Sequence, residues 1–161
     1  ELFNMYTRTH SPRRAFCLLL AVLISALSVP ALAAGASSQE AQLYRLLSED
    51  RAAHGLYALT LDEELCRMAR LRTRDMLENN YCGHVSPTYG TVRNLLDLYG
   101  VSYQYATENV GRSRDVAHSN AAFLSSPSHR RSVLTTTYTR VGIGVSVMPG
   151  GFVYVCEIFA R

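Results

Sequence analysis

The spacing of hydrophobic residues changes from a helical period to a period of two towards the end of the chain. Before Pro127, apolar side chains recur every three or four positions, as on one face of an amphipathic helix. From residue 141 onward they alternate with small residues, as in a β-strand. The pattern predicts helices followed by a terminal hairpin.

Four helices are predicted, because capping residues and stop signals bracket each apolar stripe. They cover residues 37–54, 60–79, 91–99 and 113–126. Ser37 and Glu40 form a capping box at the first helix, and Thr60 and Ser113 are the predicted N-caps of the second and fourth. Residues 106–111, between the third and fourth helices, are predicted to be a loop.

The predicted hairpin pairs residues 141–147 with residues 152–159 around a Pro-Gly-Gly turn. Its second strand is apolar on both faces except at Glu157, which is typical of a central, buried strand. Helices on both faces of a small antiparallel sheet give an α+β fold, a three-layer α-β-α sandwich.

Residues 1–33 are predicted to be an N-terminal extension and secretory signal peptide. A basic segment precedes an apolar run at 15–29, and an A-x-A cleavage site follows at 31–33. The run is shorter than the roughly 20 residues that a membrane span needs. We therefore expect no membrane span and a secreted, extracellular protein with a single domain at 34–161.

Composition fits one ordinary globular domain. The chain has 161 residues, of which 48% are hydrophobic and 18% are charged. A formal net charge of +3 is too small to indicate nucleic-acid binding. The sequence leaves the oligomeric state open, with a monomer as the expectation.

Three cysteines follow the predicted cleavage site, namely Cys66, Cys82 and Cys156. Cys66 and Cys82 lie near opposite ends of one predicted helix, about 24 Å apart and beyond disulfide reach. A disulfide, if one forms, therefore joins Cys156 to Cys66 or Cys82.

Three polar loops carry the candidate chemistry. His84 lies in YCGHVSPTYG (81–90), Glu108 in ATENVG (106–111) and His129 in SSPSHRRSVL (125–134). Neutral imidazoles are common zinc ligands, but the spacing of the two histidines matches no local zinc motif. From the residues alone, we favour the interpretation that His84 hydrogen-bonds its own loop backbone and that His129 begins a short helix. Ser86 is expected to hydrogen-bond the loop of His84.

Several motifs in register resemble one known family. They are LLSEDRAAHGL (46–56), LTLDEEL (59–65), GHVSP (83–87), ENV (108–110), SPSHR (126–130) and VGIGV (141–145). Over residues 39–159 they resemble the CAP superfamily of cysteine-rich secretory, antigen 5 and pathogenesis-related class 1 proteins, in its small bacterial secreted form. The resemblance implies an α-β-α sandwich with a large cleft.

In that family, two histidines and two acidic residues line the cleft, and members with both histidines can bind a divalent metal, often zinc. By motif position, His84, Glu108 and His129 fill three of these four places. Ser126 stands at the fourth, where many eukaryotic relatives carry a glutamate. The resemblance thus implies His84 and His129 as ligands of zinc or another divalent metal.

Three functional hypotheses follow. The first is a secreted binding module whose cleft holds a divalent metal and a lipidic or extended, peptide-like ligand without turnover. The second is a zinc-assisted hydrolase of peptide or cell-wall material with Glu108 as general base, although the missing second carboxylate counts against catalysis. The third is an extracellular interaction protein with a vestigial cleft.

Overall fold

The computed structural model describes residues 37–161, which belong to one compact unit. The predicted signal peptide at 1–33 lies outside the described residues. The elements in chain order are α1 (Ser38–Ala53), β1 (Thr60–Leu61), α2 (Glu63–Glu78), α3 (Val92–Leu98), β2 (Ala106–Ser113), α4 (Val116–Ser125), α5 (Pro127–Leu134), β3 (Arg140–Val147) and β4 (Val153–Ala160). Within this part of the chain, no helix is long and apolar enough to cross a membrane.

The four strands form one sheet in the order β1-β3-β4-β2. The predicted hairpin of β3 and β4 is confirmed, and β4 is central and buried along its whole length. β2 also pairs antiparallel with β4. The sheet is nevertheless mixed rather than purely antiparallel, because the two-residue β1 pairs parallel with β3, Thr60 beside Arg140.

Helices cover both faces of the sheet, which confirms the α+β sandwich. Ile158 and Phe159 are neighbours on β4 and point to opposite sides, since successive strand residues alternate. Ile158 joins a cluster from α2 and α3, whereas Phe159 joins a cluster from α1, α4 and α5. The two apolar clusters are therefore the two interlayer cores.

The capping predictions are correct for α1 and wrong for α2 and α4. The box of Ser37 and Glu40 is present. Thr60 and Ser113 lie in β1 and at the end of β2, so each helix is capped by the aspartate that follows. Asp62 accepts from the backbone N–H of Leu65 at 3.1 Å, and Asp115 accepts from that of His118 at 2.8 Å.

Two elements differ from the sequence prediction. Residues 106–111 are not a loop, because β2 pairs residue by residue with the whole of β4. The short helix that the sequence predicts to begin at His129 is present as α5, but it begins two residues earlier, at Pro127, directly after α4. Proline cannot donate to a preceding turn, but it suits the first position of a new helix, so one residue separates the two helices.

Candidate functional site

Glu108 lies on β2, the edge strand, with its residue only 5% exposed. Both of its carboxylate oxygens accept hydrogen bonds from Arg72 on α2. Arg72 Nε lies 3.1 Å from Oε2, and Nη2 lies 2.9 Å from Oε1. A bidentate pair of this kind fixes the plane of the carboxylate as well as its position.

Arg72 is fully buried, although a guanidinium is costly to remove from water. It also donates to the Tyr81 hydroxyl at 2.8 Å and to the Gly83 carbonyl oxygen at 2.9 Å. Burial by itself lowers the pKa of Arg72, but the hydrogen bonds and charge of Glu108 outweigh it and raise the pKa overall. Arg72 therefore ties β2 to the segment that leads into His84.

Asp75, one helical turn after Arg72, anchors the rest of that segment. Its carboxylate accepts from Ser86 Oγ at 2.7 Å, from Thr88 Oγ1 at 2.5 Å and from the Tyr81 hydroxyl. Burial raises the pKa of Asp75, but the three hydroxyl donors outweigh it and hold the pKa below its ordinary value. These three hydrogen bonds thus hold the 81–90 loop against α2.

Ser86 hydrogen-bonds within this loop, as the sequence predicts. Its Oγ accepts from the backbone N–H groups of Thr88 and Tyr89 at 2.9 and 2.7 Å while donating to Asp75. His84 is not used to satisfy the loop backbone. Instead, its Nδ1 lies 3.3 Å from Glu108 Oε1, and its side chain is 57% exposed.

His129 lies in the first turn of α5 and faces His84. The two ring centroids are 6.2 Å apart, with the ring planes tilted by 44°. The edge of the Phe123 ring supports His129 at a centroid distance of 5.2 Å. Burial, followed by the neighbouring His84, lowers the pKa of His129, which favours the neutral imidazole.

His84, Glu108 and His129 line one cavity of about 460 Å³, which we call the cleft. The full lining comprises His84, Val85, Thr91, Val92, Arg93, Ala106, Thr107, Glu108, Asn109, Ser128, His129 and Ser132. The structure therefore brings together three of the four predicted positions. Ser126 does not line the cleft; it precedes α5, and its Oγ lies 3.2 Å from Ser128 Oγ.

The two imidazoles are the residues that could hold a metal. Two imidazoles on one tetrahedral zinc ion have ring centroids about 5 Å apart, given metal–nitrogen bonds of about 2.0–2.1 Å. The rings here are slightly farther apart, and rotation of the exposed His84 can close the difference. Residues 37–161 contain no group of three or more His, Cys, Asp or Glu placed to hold a metal. The donor set thus fits a two-ligand site and falls short of the three ligands of a catalytic zinc.

The three cysteines of the described region are all free thiols, so no disulfide joins Cys156 to Cys66 or Cys82. Cys156 is fully buried on β4, and its Sγ lies 3.9 Å from Glu108 Oε2. Burial, and then the charge of Glu108, raises the pKa of this thiol. Cys156 is therefore an unreactive part of the floor beneath Glu108.

Sequence reasoning missed the residues that support the cleft. Arg72 lies on the same face of α2 as the apolar residues Leu65, Met68 and Met76. A charged residue on an apolar helix face indicates a buried ion pair. Asn109 was likewise not singled out. Its amide donates to the His129 carbonyl oxygen at 3.2 Å and to Glu157 Oε2 at 3.0 Å, which joins β2 to both α5 and β4.

Comparison with known proteins identifies relatives in bacteria. The model of the cysteine-rich secretory protein family (CAP) matches residues 44–158. The Bacillus subtilis (strain 168) protein YkwD is 33% identical over 109 residues, covering 67% of this chain and 42% of YkwD. The membrane protein YlbC of the same organism is 34% identical over 110 residues, covering 68% of this chain and 32% of YlbC. The chain thus spans less than half the length of either relative.

Solved structures share the fold. An extracellular protein with an SCP domain from Bacillus anthracis gives a TM-score of 0.69 at 30% identity, covering 75% of this chain and 39% of that one. An outer surface protein of Borrelia burgdorferi gives a TM-score of 0.71 over 78% of this chain and 95% of that one, although at 20% identity the likeness shows the fold alone. Because the family model spans most of its length, this chain belongs to the cysteine-rich secretory protein family, the CAP superfamily.

Proposed function

We propose that the protein is an extracellular binding module whose cleft takes up a divalent cation on His84 and His129 together with an extended polar ligand. The observation that carries the proposal is that buried charged groups converge beneath the cleft. Arg72 and Asp75 are buried and between them hold Glu108 and the 81–90 loop. Such groups are expensive to bury, and they pre-organise the exposed face of the loop for binding.

The cation would be bound by the free imidazole nitrogens. Nδ1 of His84 faces Glu108, which leaves Nε2 directed elsewhere, in the manner of a carboxylate that orients a metal-binding histidine. The lowered pKa of His129 favours the neutral ring that a metal requires. When bound, the ion would supply a positive charge for a carboxylate, phosphate or carbonyl oxygen of the ligand.

The residues that line the cleft offer many hydrogen-bonding groups. Most of its lining side chains carry hydroxyl, amide, imidazole or charged groups, and the apolar ones, such as Val92 and Ala106, are small. We therefore propose an extended chain with hydrogen-bonding groups along it.

Turnover is not included in the proposal. A general base needs an accessible oxygen that can accept a proton from a bound water. Both oxygens of Glu108 already accept from Arg72, and Oε1 also faces His84. Glu108 is thus better placed to position neighbouring groups than to exchange protons with a substrate.

An extracellular location is supported by the predicted signal peptide and by the relatives. The Bacillus anthracis structure is that of an extracellular protein, and it is 30% identical to this chain. The open cleft would then be accessible to molecules in the extracellular medium.

A zinc titration by calorimetry tests the cation site. We expect the parent protein to bind zinc at one site and the His84→Ala/His129→Ala variant to lose that binding. The matched control is His54→Ala/His118→Ala, which also removes two imidazoles, both exposed and outside the cleft. Circular dichroism establishes that the variants are folded. Equal zinc binding by the cleft variant and the parent would contradict the proposed site.

A further inference from the structure

A second cavity continues the cleft along α5. It has a volume of about 270 Å³ and is lined by Thr107, Ser128, Arg131, Ser132, Thr135, Thr137 and Tyr138, a set we call the furrow. Thr107, Ser128 and Ser132 line both the cleft and the furrow. The two cavities therefore adjoin, and one extended ligand can occupy both.

The furrow is lined by hydroxyl groups and a guanidinium. Six of its seven lining side chains carry a hydroxyl, and the seventh is Arg131. No carboxylate lines it, and Arg131 forms no ion pair with any carboxylate of residues 37–161. Its exposed guanidinium is thus available for an anionic group of a ligand.

Buried contacts fix the wall of the furrow. Arg51 on α1 donates to the carbonyl oxygens of Val133 and Thr135 at 2.6 and 3.0 Å. Thr135 Oγ1 in turn accepts from the backbone N–H of Thr137 at 3.1 Å. Tyr138 stacks at 39° to Phe159, with ring centroids 5.9 Å apart. Thr135, Thr137 and the tyrosine ring are therefore held in place before a ligand arrives, which lowers the cost of binding.

We propose that the furrow binds an acidic oligosaccharide, whose carboxylate or phosphate group pairs with Arg131 and whose sugar hydroxyls bond to the serine and threonine side chains. The inference rests on the proposed function, because it names the class of extended ligand that the cleft receives. The Tyr138 ring offers an amphipathic surface for one sugar face. Arg93, which lines the cleft and likewise forms no ion pair in the described region, provides a second cation for a repeating acidic chain.

The lining chemistry favours a saccharide over a peptide. A peptide-binding groove takes side chains into apolar pockets. The furrow has no aliphatic side chain in its lining, whereas a saccharide presents hydroxyls that can both donate and accept, as Ser and Thr do. An anionic peptide would engage Arg131, but its backbone offers only one donor and one acceptor per residue to these hydroxyls, fewer than a sugar ring offers.

Calorimetry with defined probes tests the inference. The acidic probes are tetragalacturonate, which carries carboxylates, and a phosphorylated maltotetraose, which carries phosphates. The comparison probes are neutral maltotetraose and a tetraglutamate peptide. We expect at least one acidic polyhydroxylated probe to bind at least about tenfold more tightly than either comparison probe, in line with the strength of charge-assisted hydrogen bonds.

Variants locate the binding. Arg131→Gln should weaken binding of the acidic probe about tenfold, since it removes a charge-assisted contact. Arg74→Gln is the matched control, because Arg74 is exposed on α2 and lines neither cavity. It makes the same change in net charge and should bind as the parent does.

The outcomes separate this inference from the proposed function. Equal binding of maltotetraose or of tetraglutamate would overturn the assignment of an acidic saccharide, as would an Arg131→Gln variant that binds like the parent. A parent that binds zinc but neither acidic probe refutes the furrow inference alone. A parent that binds the acidic probe through Arg131 but does not bind zinc refutes the cation site alone.

Discussion

Glu157 is a carboxyl group in the middle of the sheet, and it predicts a pH-dependent stability. It is fully buried on β4. Its Oε2 accepts from the Asn109 amide at 3.0 Å, while its Oε1 and the Oδ1 of Asn109 have no hydrogen-bond partner. A proton on Glu157 would turn Oε1 from an acceptor into a donor, next to a residue with an unpaired acceptor. Protonation therefore suits this pair better than ionisation does.

Burial is the largest cause of the raised pKa of Glu157, which reaches about 8; the Asn109 hydrogen bond lowers it, and Asp50 raises it further. In the unfolded chain the pKa of a glutamate is about 4.3. Below that value both states are protonated, and the folded state keeps its full stability. As the pH rises towards 8, only the unfolded chain loses its proton, so the free energy of unfolding falls. At about 1.4 kcal/mol per pH unit, the loss at pH 7 is roughly 3–4 kcal/mol.

The variant Glu157→Gln removes this titration while keeping the shape of the side chain. Its amide can accept from and donate to Asn109, so both partners are satisfied at every pH. We expect the stability of the variant, relative to the parent, to rise by roughly 3 kcal/mol between pH 4 and pH 7. Urea unfolding measured at several pH values gives this double difference, in which any constant effect of the substitution cancels. Parallel pH profiles for the two proteins would refute the reasoning.

Three further substitutions test the scaffold of the site, each by urea unfolding. Arg72→Met should lower the free energy of unfolding by about 3–5 kcal/mol, because it leaves the buried Glu108 carboxylate without its partner. Adding Glu108→Leu should recover most of that loss. Equal stability of the single and double variants would contradict this. Asp75→Asn should lower the free energy of unfolding by about 1–3 kcal/mol, since only one end of the amide can accept a hydrogen bond. It should also weaken zinc binding. Unchanged stability would mean that the hydroxyl donors find other partners. Gly142→Ala should cost at least about 3 kcal/mol, because its Cβ would lie 2.1 Å from a backbone carbon of α2, whereas Gly83→Ala faces open space and should have little effect.

The sequence predicted the elements whose stability is decided locally. The capping box at Ser37 and the alternating residues of β3 and β4 each involve interactions within a few residues or one hairpin. The fold class followed, because amphipathic helices bury a small sheet by packing on its two faces. His84, Glu108 and His129 line one cavity, and the family resemblance, rather than their spacing, indicated that they would meet.

Elements that depend on distant partners were missed. Residues 106–111 contain Glu108, Asn109 and Gly111, which favour loops, and only pairing with β4 makes this segment a strand. Pro127 was predicted to end a helix and a short helix was predicted from His129, but the sequence alone does not show that Pro127 itself begins that helix. The two-residue β1 carries no pattern of its own and exists because β3 passes beside it.

The long sequence separation of the buried pairs explains why the geometry of the site could not be predicted. Arg72 and Glu108 are 36 positions apart in the chain, and Asn109 and Glu157 are 48 apart, so no local pattern links either pair. The two pairs lie on opposite faces of the sheet, because Glu108 and Asn109 are neighbours on β2. Glu108 pairs with Arg72 of α2 beneath His84, whereas Asn109 and Glu157 lie on the face of α1, α4 and α5, where Asn109 also donates to the His129 carbonyl oxygen. Apolar side chains in place of Arg72 and Glu108 would stabilise the fold at least as well as this ion pair does. The burial of Arg72, Asp75 and Glu108 beneath His84 is therefore better explained by the need to hold a polar binding surface rigid than by the need to hold the fold together.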